Sequence, residues 1–208
     1  MSDRVKKALL VLILGLPSLG IVTKLFGEID EEGFAQLLHT TGELGLRLLI
    51  LTIVATPLAM VFRRGRFWVW MRRQRRITGL ASFAYAVLHL AVYLTERGAL
   101  QSVWEDLGQW TYVAGWLGMA AYLPLVLTST TSSIRKLGGR RWKRLHLLTY
   151  GVAAISLLHW FLKPEGEVGP PMVHAILLSV FVIFRLLLVN RRKHEVISVT
   201  SRPELGAS

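Results

Sequence analysis

The sequence predicts an all-α fold, a polytopic membrane bundle of six transmembrane helices with no separate soluble domain. Three observations carry that expectation. The 208 residues are 52% hydrophobic, more apolar than an ordinary soluble domain. The apolar residues gather in long runs, and the short loops between the runs alternate in the sign of their charge.

A hydrocarbon core about 30 Å thick needs roughly 20 apolar residues at about 1.5 Å of rise each. Runs near that length extend from Ala8 to Phe26, Thr41 to Phe62, Ile77 to Thr95, Gly108 to Ser129, Trp142 to Leu162 and Pro171 to Asn190. Lipid cannot satisfy exposed backbone groups, so each run is expected to be helical. Arg4, Lys6 and Lys7 precede the first run as they would in a signal peptide. That run is long, however, and no small-residue cleavage site follows it, so it reads as a retained helix. Residues 1–195 therefore read as one transmembrane domain. The stretch 196–208, with Ser, Thr, Pro and Gly and no periodicity, reads as a disordered tail.

Loop charge sets the orientation. Arg63, Arg64, Arg66, Arg72, Arg73, Arg75 and Arg76 fill the second loop, and Arg135, Lys136, Arg140, Arg141, Lys143 and Arg144 fill or border the fourth. Arg191, Arg192 and Lys193 follow the last run. The odd loops carry Glu28, Asp30, Glu31 and Glu32, then Glu96, Glu105 and Asp106, then Glu165 and Glu167. The positive-inside rule places the basic loops and both termini in the cytoplasm. Trp68, Trp70 and Trp142 then fall near the inner interface and Trp104, Trp110 and Trp160 near the outer one.

Composition also excludes. A net charge of +12 would suggest nucleic acid in a soluble protein, but here it is spent on topology and anionic lipid headgroups, so no nucleic-acid partner is expected. Cysteine is absent, which removes disulfides, iron–sulfur clusters, covalently attached heme and thiolate zinc sites. No inverted repeat of the transporter kind is visible.

Ionisable groups inside a bilayer are costly and mark function. His89 lies about 18 Å above Ile77 along its helix, and His159 about 25 Å above Trp142. Within helix tilt those depths coincide. Two imidazoles facing each other across a helix gap can ligate one heme iron axially, which suits electron transfer. The alternative is that each hydrogen-bonds a neighbouring helix or a water.

His146 lies 13 residues before His159, about 140° away around an ideal helix, so the two share a face only if the helix is rewound, which Gly151 would permit. A second heme would need a partner 13 or 14 residues before His89, where Arg76 and Arg75 stand. Arginine is not a plausible iron ligand, which leaves His146 facing a flavin, a quinone or a heme held in another way. Arg75 and Arg76 belong to the run Arg72, Arg73, Gln74, Arg75, Arg76, suited to a flavin phosphate, a heme propionate or anionic lipid. His39 and His174 sit at the outer helix starts, positions for an interfacial role or contact with a cofactor or partner. Arg47 has Glu43 one turn away as counter-ion, and Arg185 is close enough to a helix end to snorkel.

The stretches TTGELGLRLLILTIVATPL at 40–58, RRQRRITGLASFAYAVLHLAVYL at 72–94, LPLVLTST at 123–130 and RKLGGRRWKRLHLLTYGVAAISLLHWF at 135–161 together resemble the MsrQ family. These are heme-binding membrane subunits of a periplasmic methionine-sulfoxide reductase system, within the ferric-reductase-like transmembrane domains. The resemblance implies a bacterial inner-membrane protein carrying heme b and FMN. It implies electron flow from the quinone pool, or from a cytosolic flavin reductase, to a periplasmic molybdopterin-containing reductase that repairs oxidised proteins. It places the heme-associated histidines on His89, His146 and His159 and carries over no flavin-binding residue. Sulfoxide reduction itself then belongs to the partner subunit. The rival readings are a stand-alone ferric or quinone reductase of the same fold and, further off, a transporter without a cofactor.

Overall fold

The computed structural model describes residues 2–163 and 168–200. Glu165 and Glu167 of the third acidic loop, and residues 201–208 of the expected tail, lie outside the described residues. The described residues form nine helices and no strand: α1 (Asp3–Leu25), α2 (Glu31–Val61), α3 (Arg66–Arg97), α4 (Leu100–Asp106), α5 (Trp110–Leu127), α6 (Thr131–Leu137), α7 (Gly139–Leu145), α8 (Leu148–Phe161) and α9 (Gly169–Thr200). The last helix thus continues to Thr200, into the first residues expected to be disordered.

Helix ends follow local chemistry. Asp30 caps α2 by accepting the Gly33 amide at 2.9 Å, with Glu31 and Glu32 in the first turn where the helix dipole favours negative charge. Gly98 ends α3 at φ 66°, a left-handed conformation that glycine adopts without a Cβ clash. Thr130 caps α6 by accepting the Ser133 amide at 3.0 Å.

Helices α1, α2, α3, α5 and α9 are long and apolar enough to cross a membrane. The sixth expected crossing, Trp142 to Leu162, is not one continuous helix. It is divided into α7 and α8 at His146 and Leu147, where the Leu147 amide turns to the Arg144 carbonyl, three residues back rather than four. The interruption falls before Gly151, which lies within α8. With 14 residues, α8 reaches only about 21 Å.

The main core joins Leu46, Leu49, Ile50 and Ile53 of α2 to Tyr122 and Leu125 of α5, Val152, Ala153 and Leu157 of α8, and Leu178 of α9. The α2–α3 contact is held by hydroxyls as well as by packing, as suits helices in lipid. Ser82 donates to the Gly45 carbonyl at 2.6 Å and Thr52 to Thr78 at 2.9 Å. At the edge of the bundle, α1 buries only Ile21, while the Tyr85 hydroxyl reaches its Leu14 carbonyl at 2.7 Å. The described acidic loops and the described basic loops lie at opposite ends, called below the acidic end and the basic end.

Ala153 has no exposed surface, so Ala153→Leu has no space for its added carbons. The expected penalty is about 1–3 kcal/mol, read as a lowered midpoint in thermal unfolding of the detergent-solubilised protein.

Candidate functional site

A cavity of about 450 Å³ opens between α2, α3, α5 and α8, in the half of the bundle nearer the acidic end. Its size lies within the range of cofactor pockets, roughly 300–1,000 Å³. His89 of α3 and His159 of α8 both line it. Their ring centres stand 6.0 Å apart with the planes crossed at 88°.

Each imidazole is held by one nitrogen. Nδ1 of His89 lies 3.0 Å from the Leu38 carbonyl and 3.1 Å from the Thr41 hydroxyl. Nδ1 of His159 lies 2.7 Å from the Thr111 carbonyl. A carbonyl only accepts, so both Nδ1 atoms carry the proton and both Nε2 atoms keep a lone pair. Neither Nε2 has a hydrogen-bond partner among the described residues. This is the arrangement by which a metal-bound histidine is oriented through its second nitrogen.

The rings sit this close to α2 and α5 because glycine stands beneath each. A Cβ on Gly42 would come within 3.2 Å of the His89 ring, and one on Gly115 within 3.2 Å of the His159 ring. Two metal–nitrogen bonds of about 2 Å each, plus the depth of two rings, separate opposed ring centres by about 6 Å. The observed spacing of the ring centres therefore fits one metal ion held between the two histidines, and the cavity around them has the size of a cofactor pocket.

Toward the interior the cavity ends on Ser82 and Tyr122, whose oxygens are 2.6 Å apart. Toward the acidic end it is bordered by Tyr93, Arg97, Tyr112 and Lys163. Tyr93 donates to Asp106 at 2.7 Å. The Arg97 Nε also lies 2.7 Å from Asp106, as a contact of opposite charges rather than an aligned hydrogen bond, and Arg97 Nη2 donates to the Tyr112 hydroxyl.

The other candidates lie elsewhere. His146 does not line the cavity. It is stacked on Trp142 with ring centres 4.0 Å apart, and its Nε2 lies 3.1 Å from the Thr128 hydroxyl, at the basic end. Arg75 donates to Thr56 at 2.7 Å, also at that end, and neither Arg75 nor Arg76 lines the cavity. Arg185 lies over the Tyr150 ring, 5.4 Å from its centre. The expected Arg47–Glu43 pair forms at 2.5 Å. Sequence reasoning missed Thr41, Gly42, Thr111, Gly115 and the Arg97–Asp106 contact. The one available signal was glycine on helices otherwise built of large apolar residues, a mark of close approach.

Residues 41–157 match the model of the family described as ferric reductase like transmembrane component. The chain is 33% identical over 172 residues to the protein-methionine-sulfoxide reductase heme-binding subunit MsrQ of Rhodospirillum rubrum, covering 80% of each chain. To the subunit of the same name from Deinococcus radiodurans it is 35% identical over 164 residues, covering 78% of this chain and 79% of the relative. Magnetosome protein MamZ of Magnetospirillum gryphiswaldense is 41% identical over 120 residues, which are 55% of this chain and 18% of that protein.

Asp106→Ala removes the acceptor of Tyr93 and the counter-charge of Arg97 at once. The expected loss is about 1–3 kcal/mol, seen as a lower thermal midpoint, with most of it recovered in Asp106→Glu.

Proposed function

The chain belongs to the MsrQ family of ferric-reductase-like membrane subunits, and from that premise we propose that it is the electron-transfer subunit of a protein-methionine-sulfoxide reductase, holding heme b between His89 and His159. The observation that supports this most directly is the histidine pair itself: both rings line one cavity with their centres 6.0 Å apart, and each is held through Nδ1, which leaves Nε2 for a metal. Heme, when bound, supplies one-electron redox chemistry.

The chain's own residues do the rest. The carbonyls of Leu38 and Thr111 orient the rings and raise the basicity of Nε2. With both His89 and His159 holding it, the heme would be suited to electron transfer rather than to oxygen chemistry. Arg97 and Lys163, on the cavity wall at the acidic end, would hold the propionates, since a guanidinium and an ammonium suit carboxylates. Ser82 and Tyr122 satisfy each other, so the far end of the cavity adds no charge.

In this reading the protein lies in the bacterial inner membrane with the basic loops and both termini cytoplasmic, following the positive-inside rule. Electrons enter from the quinone pool or from a reduced flavin. FMN would belong at the basic end, where Arg75 offers its guanidinium near the stacked His146 and Trp142. Electrons leave at the acidic end to a periplasmic molybdopterin-containing subunit, on which the sulfoxide is reduced.

Two experiments test this. The wild-type protein is expected to show the reduced spectrum of a b-type heme, and His89→Ala and His159→Ala to lose most of that heme; full heme content with an unchanged spectrum in either variant would refute the assignment. The acidic loops predict a basic docking face on the partner, so the coupled electron-transfer rate should fall as salt rises from about 0.05 to 0.5 M. A rate indifferent to salt would remove the electrostatic docking.

A further inference from the structure

Four ionisable side chains, none of them given a role above, meet where the cavity wall reaches the edge of the bundle. Glu43 lies between Arg47, at 2.5 Å, and His39, at 3.7 Å, all on α2. Arg47 also directs its Nε at Nε2 of His174 on α9, 3.5 Å away. The His174 Nδ1 is 2.7 Å from the Pro170 carbonyl, so its Nε2 is the accepting nitrogen. The Trp160 indole stands between the two histidines, 5.7 Å from His39 and 5.4 Å from His174 between ring centres. Trp160 immediately precedes Phe161 and follows His159 in α8, and with His39 and Glu43 it forms part of the cavity wall.

The placement is unusual for a purely structural ion pair. Arg47 lies about 9 Å along the helix inside the apolar run that starts at Thr41, yet its side chain is 55% exposed, and that of His39 is 50% exposed. His39 lines the cavity, but Arg47 does not, so its exposure is at the outer surface of the bundle, where an ionisable group in an apolar run is costly and marks function. The occupant that would lower this cost must arrive through the membrane and exchange hydrogen bonds with both donors and acceptors. A phospholipid phosphate fits poorly, because Glu43 neutralises Arg47 and repels an anion. A neutral aromatic ring with oxygens at both ends fits well: it can hydrogen-bond the histidines and the carboxylate and lie against Trp160.

We propose that His39, Glu43, Arg47 and His174, with Trp160, form the binding site for the headgroup of a lipid-soluble quinol. The proposal rests on the reading of the histidine cavity as a heme site and names the place where that site is loaded. Oxidation here breaks both O–H bonds of the quinol and leaves the quinone. One proton passes to Glu43 and one to a histidine nitrogen, and both leave at the acidic end. The two electrons would leave one at a time through the heme that His89 and His159 would hold, with the partner subunit as the final acceptor.

The test uses the full-length protein with its heme, in lipid nanodiscs, and decylubiquinol as the probe. His174→Phe and Arg47→Gln, neither of which lines the cavity, are expected to keep the wild-type amount of dithionite-reducible heme and the wild-type rate of reduction by photoreduced FMN. Their reduction by decylubiquinol at subsaturating concentration should be slower by about tenfold, the scale of a lost hydrogen bond to a charged or buried group. A photoactivated azidoquinone should label the peptide carrying Trp160 or that carrying His174, and excess decylubiquinone should protect it. Wild-type quinol rates in both variants, labelling elsewhere, or protection by anionic phospholipid instead of quinone would each overturn the site. A wild-type protein that accepts electrons from reduced FMN but not from the quinol overturns the quinol site while leaving the heme reading standing. A heme-free wild-type protein that is still labelled and protected at these peptides removes the heme reading and keeps the site.

Discussion

An imidazole has two nitrogens, and one can face a metal reliably only if the other is held. In this bundle the holding atoms are the main-chain carbonyls of Leu38 and Thr111. That constraint shapes much of what surrounds them. A helix carbonyl is already engaged within its own helix, so a ring nitrogen must approach the backbone closely to share it. Close approach needs a residue without a side chain beneath the ring, which is the position of Gly42 under His89 and of Gly115 under His159. The Thr41 hydroxyl adds a second contact to the first ring, at 3.1 Å, while bonding back to the Leu37 carbonyl at 2.7 Å.

The same requirement explains how the bundle is divided. Each histidine stands on one helix and takes its carbonyl from the partner of a close pair: α3 from α2, and α8 from α5. The cavity lies where the two pairs face each other. Within the first pair, Ser82, Thr52 and Thr78 supply hydrogen bonds between the helices in addition to those of His89 and Arg75. Between the pairs, Ser82 and Tyr122 supply one more. Helices α1 and α9 need no such precision. Most of their large apolar side chains point outward, where lipid rather than protein is the natural neighbour.

How much of this could be read in the sequence depends on the kind of signal. The apolar runs are legible because bilayer thickness imposes a length, and five of them are helices of spanning length. The sixth was misread as one piece, since no proline or glycine marks the turn at His146 and Leu147; the backbone there simply exchanges one hydrogen-bond spacing for another. The depths of His89 and His159 allowed the two to meet, because a helix converts residue number into distance, and the family resemblance singled out the pair. The partners of those rings were not legible: every residue has a carbonyl, and nothing in the letters Leu38 or Thr111 marks which is used. Arg47 with Glu43 was legible as a local i,i+4 pair, but the approach of His174 from α9 is a tertiary fact. His146 was legible as unusual and remained without a partner until Thr128 and Trp142 were seen beside it.

The distribution of charge along the bundle bears on what can cross it. At the acidic end stand Glu43, Arg47, Arg97 and Asp106, each in contact with an opposite charge. At the basic end stand Arg75, bonded to Thr56, and Arg185, over Tyr150. Between the cavity and the basic end, the buried residues of α2, α3, α5 and α8 are mostly apolar; the polar groups there include the hydroxyls of Thr52 and Thr78, bonded to each other, and the amide of Gln74. A proton moving through that region would find no carboxylate or imidazole to rest on. An electron needs no such steps. Among the described interior residues the carboxylates Glu43 and Asp106 stand at the acidic end, beside the cavity that His89 and His159 line.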